Sequence, residues 1–331
     1  MSRRAGTLLA CAGALGALAA CGDGSALSPK GPSARDIAGL WWLMFWLGLA
    51  VYVFVVALLL VVLRRRGKAQ EPVAATPGEG RALIWGAGVG MTTVVIVALV
   101  LVSYSVGGRI YDRRGTSGLQ VEVIGYKFWW EVRYLGRSDA ITANEIHIPT
   151  GRPVDLILTS RDVIHSFWVP ELAGKLDLVP GVRHALRIQA DRPGEFRGQC
   201  AEYCGVQHAN MLLLVVAQPP DDFDAWLDRQ GQPRQQPTDP LTQRGEEVFV
   251  RTPCGACHRV RGTTATADVG PDLTHFASRR TLGAGVRPNT RGHLGGWISD
   301  PQAIKPGNLM PPTKLAPDEL LALLAYMESL T

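Results

Sequence analysis

Residues 200–211, CAEYCGVQHANM, gather two cysteines, a glutamate, a histidine and a methionine into one short stretch. Thiolate, imidazole and thioether are soft donors. Together they select copper over magnesium or calcium, because the softness of a ligand set must match that of its ion. His165, in RDVIHSFW, supplies a second imidazole, expected in another loop at the same end of the fold. A mononuclear blue-copper site uses a single cysteine. The CxxxC pair Cys200 and Cys204 can instead bridge two copper ions, each ion taking one terminal histidine. Two other readings stay open on the residues alone: a small disulfide loop in an oxidising compartment, and a structural zinc held by two cysteines and two histidines. Neither uses Met211 or Glu202.

A second constellation follows in FVRTPCGACHRV, where Cys254, Cys257 and His258 have the C-x-x-C-H spacing of covalent c-type haem attachment. Two thioether bonds anchor the porphyrin, and the adjacent histidine reaches the iron from the same turn. A thioredoxin-like or zinc-binding CxxC is the alternative, but no βαβ pattern surrounds the motif. The sixth iron ligand is expected at Met310, in the proline-rich KPGNLMPP, which cannot be helical and has little need of a core methionine. Met327 sits in a final apolar helix where packing explains it, and His275 and His293 are the rivals. A methionine ligand raises the haem potential relative to a second histidine.

These residues need elements to hold them. LQVEVIG, YKFWWEVRYL, NEIHIP, PVDLILTS, HALRIQA and MLLLVVA are short alternating or apolar runs separated by Gly, Pro, Asp and Ser, the pattern of an all-β sandwich or barrel. Cys200 and Cys204 fall in the loop before its last strand. DDFDAWLDRQ reads as one or two helical turns, and QGQPRQQPTDP as a flexible tether with nothing to bury. LTQRGEEVFV and APDELLALLAYMESL, on either side of the CxxCH, read as helices of a small α-domain; they resemble the first and last helices of small cytochromes c, which implies that Gly245 and Phe249 meet Tyr326.

Upstream, residues 40–63 and 83–106 are uncharged and long enough to cross a bilayer, which takes roughly 20 residues. The segment between them carries Arg64, Arg65, Arg66, Lys68 and Arg81 against Glu71 and Glu79. The positive-inside bias puts it in the cytoplasm and everything after residue 107 outside. Trp41, Trp42 and Trp46 suit an interfacial anchor. Residues 1–20, with Arg3 and Arg4 ahead of a small-residue apolar run, read as a secretory signal. The ending Leu18-Ala19-Ala20-Cys21 resembles a lipobox, making Cys21 a candidate lipidated N-terminus of the mature chain; an ordinary cleavage site is the alternative. The net charge of +5 comes largely from the leader and the cytoplasmic segment, which argues against nucleic acid as a partner.

The pattern C-x-E-x-C-x-x-x-H-x-x-M, with the preceding loop histidine and GYKFWW, resembles subunit II of haem-copper cytochrome c oxidases, in order over residues 36–228. The tail resembles small cytochromes c, so the whole resembles a caa-type subunit with a fused cytochrome. The resemblance implies a multi-domain membrane protein: a two-helix transmembrane hairpin over 36–106, an all-β cupredoxin-like CuA sandwich over 107–229, a linker at 230–240 and an all-α class I cytochrome c domain over 241–331. It implies that Cys200 and Cys204 bridge two coppers, that His165 and His208 are terminal ligands, and that Met211 is a weak ligand. The Glu202 carbonyl completes the set, and the Glu202 side chain faces a shared magnesium at the boundary with subunit I.

The expected activity is passage of electrons from a soluble or membrane cytochrome c through the chain's own haem c and CuA to haem a of subunit I. There oxygen is reduced and protons are pumped, with subunit III as a further partner. The implied place is the bacterial cytoplasmic membrane, in contact with lipid, both C-terminal domains on the periplasmic face. This chain lacks the histidine-rich spanning helices an oxygen-reducing site needs. The rival is a stand-alone membrane-anchored copper and haem carrier, or a copper-binding lipoprotein. Phe128 stands where many relatives carry a tryptophan associated with electron uptake from soluble cytochrome c, leaving Phe128, Trp129 and Trp130 as candidates for that step. Ala82 stands where proton-feeding members carry a glutamate, and Glu79, one turn earlier, is the nearest alternative carboxylate.

Overall fold

The computed structural model describes residues 24–66, 80–81, 84–112, 118–136 and 140–331. The leader, Cys21, Glu79 and Ala82 lie outside the described residues. Residues 35–115 form one compact unit, and the remainder another.

In the first unit, α1 (Pro32–Arg66) is followed by a π-helical stretch, Ile84–Met91, that leads into α2 (Thr92–Asp112). Both helices are long and apolar enough to cross a membrane. A core helix of a soluble protein would hide its apolar face. Here the most apolar window of the first helix is 0% buried and that of the second 6%. Along α1 the rings of Trp41 and Phe45 stack at 5.3 Å, and those of Trp42 and Trp46 at 6.2 Å.

The other unit begins with a sandwich of ten strands: β1 (Gln120–Tyr126), β2 (Trp129–Leu135), β3 (Ile141–Ala143), β4 (Glu145–Pro149), β5 (Val154–Ser160), β6 (His165–Trp168), β7 (Leu176–Leu178), β8 (His184–Ile188), β9 (Gly194–Cys200) and β10 (Leu212–Gln218). One sheet runs in the order β3-β2-β1-β5-β8 and the other β4-β10-β9-β6-β7. Pairs β1–β5 and β4–β10 are parallel, and the rest antiparallel. Val121, Val123, Trp130, Val132, Leu156, Phe167, Phe196 and Val215 fill the space between the sheets. Successive strand residues point to opposite faces. On β9 this turns Phe196, Gly198 and Cys200 inward and leaves Glu195, Arg197 and Gln199 exposed. Four strands beyond the expected six are present: β3, β6, β7 and β9.

Helix α3 (Pro220–Gly231) follows, three turns rather than the one or two expected. Pro220 presets its first turn, Asp221 and Asp222 sit at its positive end, and Phe223, Trp226 and Leu227 make a buried stripe. The Trp226 ring stacks on His147 at 3.9 Å. Residues 232–239 do not behave as the flexible tether that their composition suggested. Arg234 is buried, its N–H donates to the Arg261 carbonyl, and its guanidinium pairs with Glu246. Apolar content is not what fixes this segment; a buried, paired arginine does.

The last domain contains α4 (Pro240–Arg251), α5 (Pro253–Cys257), α6 (Arg291–Ser299), α7 (Pro301–Ile304), α8 (Pro317–Ser329) and a small hairpin of β11 (Thr281–Leu282) and β12 (Arg287–Pro288). Asp239 caps α4 by accepting the N–H groups of Leu241 and Thr242. Helices α4 and α8 pack with Gly245 at their crossing, where a Cβ would collide with the Ala322 carbonyl and lie 2.6 Å from Tyr326 Cβ. The rings of Phe249 and Tyr326 are 5.8 Å apart, the contact expected from the sequence. Val248, Phe249, Leu294, Ile298, Leu323 and Met327 complete the core.

Candidate metal centre and haem cavity

The inward face of β9 delivers Cys200, and the loop that follows brings Cys204, His208 and Met211 back beneath it before β10 starts. His165 opens β6, whose Phe167 pairs with Cys200 across the sheet. The fit is close: a Cβ on Gly125 of β1 would lie 2.7 Å from the His165 ring. The two sulfurs lie 3.9 Å apart, far beyond the roughly 2.05 Å of a disulfide. Both cysteines are free and buried. Each sulfur contacts a different imidazole: Cys200 Sγ is 3.8 Å from His165 Nδ1, and Cys204 Sγ is 3.8 Å from His208 Nδ1. Cys204 Sγ also lies 3.8 Å from Met211 Sδ, and Cys200 Sγ 3.2 Å from the Glu202 carbonyl oxygen. The donor atoms of His165, Cys200 and Cys204 all fall within 4.8 Å of one another.

The electrostatics suit a cation. A hydrogen bond shared with Cys204 holds the Cys200 thiol well below its ordinary range against the opposing effect of burial, while the same bond and burial push the Cys204 thiol up. The pair thus keeps one proton rather than two. Burial disfavours charge on His165, but hydrogen bonds to Asp162 and Cys200 outweigh it and raise its pKa. Asp162 Oδ1 lies 2.8 Å from His165 Nε2, and the same carboxylate accepts the N–H groups of Val163 and Lys127, both at 2.7 Å. It fixes the ring so that Nδ1 faces the sulfurs. Asp162 was not singled out in the sequence, though it stands three residues before His165.

The second site is a cavity of about 220 Å³ lined by Cys254, Cys257, His258 and Met310 together with apolar side chains including Phe249, Trp297 and Leu323. His258 follows α5 as its C-cap. Its Nδ1 faces the Pro271 carbonyl at 2.8 Å, which leaves Nε2 available. Burial lowers the His258 pKa, so the ring is a neutral ligand at ordinary pH. Gly270 lets the chain pass that ring, since a Cβ there would come within 2.6 Å of it. Arg279 lines the same cavity, is buried, and has an Nε without a hydrogen-bond partner. An orphaned buried donor on the cavity wall fits a group that carries its own acceptors, as the carboxylates of a haem would. Nothing in the sequence marked Arg279.

The expected rivals of Met310 do not line the cavity. Both His275 ring nitrogens face carbonyl oxygens, of Thr331 at 2.7 Å and Gln232 at 2.9 Å, and His293 Nδ1 lies 2.9 Å from Thr290 Oγ1. Met327 does line it, from within the α8 core. Of the aromatic candidates, Phe128 and Trp129 line the cavity from the sandwich side. Phe128 also meets the copper loop, because a Cβ on Gly205 would be 3.2 Å from its ring. Trp130 is wholly buried between the sheets, 6.0 Å from the His165 ring.

A cupredoxin-like sandwich that gathers two thiols and two imidazoles from the ends of β6 and β9, rather than from loops alone as expected, and from the segment after β9, joined to an α-helical domain built around a CxxCH cavity, defines an electron-transfer protein. Family comparison agrees for each part. Residues 136–218 match the cytochrome c oxidase subunit II periplasmic domain, and residues 242–331 match cytochrome c. The chain is 34% identical to cytochrome c oxidase subunit 2 of Alkalihalophilus pseudofirmus over 92% of this chain and 90% of that one. It is 33% identical to the subunit 2 of Bacillus sp. strain PS3 over 66% and 64% of the two chains. A crystal structure of the periplasmic domain of subunit II from Bradyrhizobium japonicum is 24% identical, covering 35% of this chain and 95% of its own, with a TM-score of 0.34. The chain belongs to the cytochrome c oxidase subunit II family, in the form with a fused cytochrome c domain. It is a membrane-anchored subunit of an oxidoreductase complex; its subunit II domain implies copper, and its cytochrome c domain implies haem c.

Proposed function

We propose that this chain serves a proton-pumping cytochrome c oxidase. It takes electrons from a soluble or membrane cytochrome c and passes them through its own haem c and a binuclear CuA centre to haem a of subunit I, for reduction of oxygen to water. The observation that carries this reading is the pair of unbonded sulfurs 3.9 Å apart, each against its own imidazole. In this reading Cys200 and Cys204 bridge both ions, and His165 and His208 are terminal ligands. Met211 binds weakly and the Glu202 carbonyl completes the set. Cys254 and Cys257 hold the haem covalently, with His258 and Met310 on its iron. Bound there, the two groups supply one-electron chemistry, and a charge spread over two ions and two sulfurs changes each bond little on transfer.

The chain contributes rigidity: buried ligands on β6 and β9, an Asp162 carboxylate that fixes one imidazole, and a Pro271 carbonyl that fixes another. Phe128, touching the copper loop and lining the haem cavity, is the natural route between them. The same reading assigns the Glu202 carboxylate to a magnesium ion shared with subunit I, makes subunit III a further partner, and acylates Cys21. It sets the chain in a bacterial cytoplasmic membrane with both domains outside.

The test is metal analysis with spin resonance on the oxidised protein. Two coppers and one haem per chain, with an unpaired electron shared by two copper nuclei, is the expected result. Zinc, or a single copper with a localised electron, overturns the assignment. A tagged chain purified in mild detergent is expected to bring down a large polytopic haem protein. Recovery of the chain alone favours the stand-alone carrier.

A further inference from the structure

Two buried ionisable side chains that electron transfer does not use are arranged reciprocally where the sandwich meets the haem domain. Glu145, on β4, is 2% exposed, and its Oε1 accepts the N–H groups of Arg280 at 2.6 Å and Thr281 at 3.1 Å. Lys305, just past α7, is also 2% exposed, and its ammonium donates to the Phe128 carbonyl at 2.8 Å and the Gly283 carbonyl at 2.9 Å. Each domain thus sends one charge into the other and satisfies it on main-chain groups. Around these two points the contact embraces the copper loop. Gln207 donates to the Pro306 carbonyl at 2.7 Å, and Leu212 N–H to the Ala284 carbonyl at 3.1 Å. Gly285 and Gly307, with φ of +82° and +81°, allow close approach: a Cβ on either would come within 2.7 Å of Leu212 or Val206.

A buried ammonium whose hydrogen bonds go to carbonyls rather than to a carboxylate is an expensive way to hold two surfaces together, since burying a charge that is not ion-paired costs more than burying an apolar chain of the same length. Burial, partly offset by Cys204, pushes the Lys305 ammonium down to about 7. Specificity of seating is what such a contact supplies: a lysine reaching one particular carbonyl, that of Phe128, works in one register only. A domain on a free tether would need neither contact and would meet the copper site by effective concentration alone.

We propose that Lys305 and Glu145 pin the haem domain to the copper sandwich of the same chain in one seated arrangement, and that Lys305 is thereby a positioning residue for haem-to-copper electron transfer. The second half rests on the function proposed above; the first half does not.

The seating is tested on the intact wild-type complex by amine acylation read by peptide mass spectrometry. Lys305 is expected to label at least about tenfold more slowly than the exposed Lys175 and Lys314. Labelling at their rate overturns the seated arrangement. The positioning role is tested with Lys305→Met, which keeps the stem and removes the charge. Copper and haem content and spectra are expected to be unchanged. Amide exchange at Arg280, Thr281 and Leu212 should rise, and transfer from flash-reduced haem to copper should slow, each by about tenfold or more. A variant with wild-type exchange and wild-type rate overturns the proposal. If Lys305→Met does not assemble, Glu145→Gln carries the same exchange measurement from the other side. Absence of two coppers and a haem from the wild type would remove the function reading, while the acylation result would still decide the joint.

Discussion

At the scale of single residues, two of the histidines proposed as metal ligands, His165 and His258, are prepared in opposite ways. His165 has a raised pKa because Asp162 and Cys200 outweigh its burial, whereas His258 is lowered by burial. A proton on either ring competes with metal. Copper uptake by chelator-stripped protein is therefore expected to weaken as pH falls through a value above the ordinary histidine range, about 6.5. The haem–histidine bond should persist to lower pH; titrations followed at the copper and haem bands would settle the order, and earlier loss of the haem ligand would contradict it. Asp162→Asn separates orientation from proton competition. Copper affinity should drop about 10- to 100-fold, as loss of a carboxylate behind a ligating histidine does elsewhere. The pH midpoint of uptake should move down, because the group raising His165 is gone; unchanged affinity would mean the carboxylate does not orient the ring. The residues proposed as ligands stood out in the sequence because their types and spacing are rare. Asp162 and Arg279 were not, because a single carboxylate or arginine takes its meaning from the fold around it.

Among the elements, the crossing of α4 and α8 depends on the absence of one side chain. Gly245→Ala would gain about 1 kcal/mol of helix propensity. It would also force a Cβ against the Ala322 carbonyl and Tyr326 Cβ, an overpacking cost of about 1–3 kcal/mol. The collision is with backbone, which cannot swing away, so the cost should win. The haem domain of the full chain is expected to unfold at a lower temperature, followed by its helical circular dichroism; a raised midpoint would show that the helices part more easily than their packing indicates. That contact was expected because the two segments resemble the first and last helices of small cytochromes c. Strand β9, GEFRGQC, was hidden because its outward face carries Glu195, Arg197 and Gln199 and its inward face includes Gly198. Half of its alternation is polar and one inward position has no side chain, so no apolar run announces it. The segment at 232–239 misled for the opposite reason: its polar composition looked unanchored, while Arg234 was the anchor.

For the whole molecule, the way the two domains are held decides how electron transfer responds to salt. If surface charge steered a tethered haem domain, raising ionic strength would loosen it, since the screening length falls from about 30 Å at 0.01 M to about 3 Å at 1 M. Glu145 and Lys305 are buried and bonded to main chain, where added ions reach poorly. The ion pair between Arg280 and Glu195 across the contact is nearly half exposed on both sides, the kind worth about 0–1 kcal/mol. Haem-to-copper transfer within the chain is therefore expected to change by less than about twofold across that range. Delivery from a separate cytochrome should slow strongly, because that encounter is steered through solvent. Both rates can be read in one flash experiment, with and without the soluble donor. A tenfold or greater salt dependence of the internal step would place the holding force on surface charge and restore the picture of a domain on a leash.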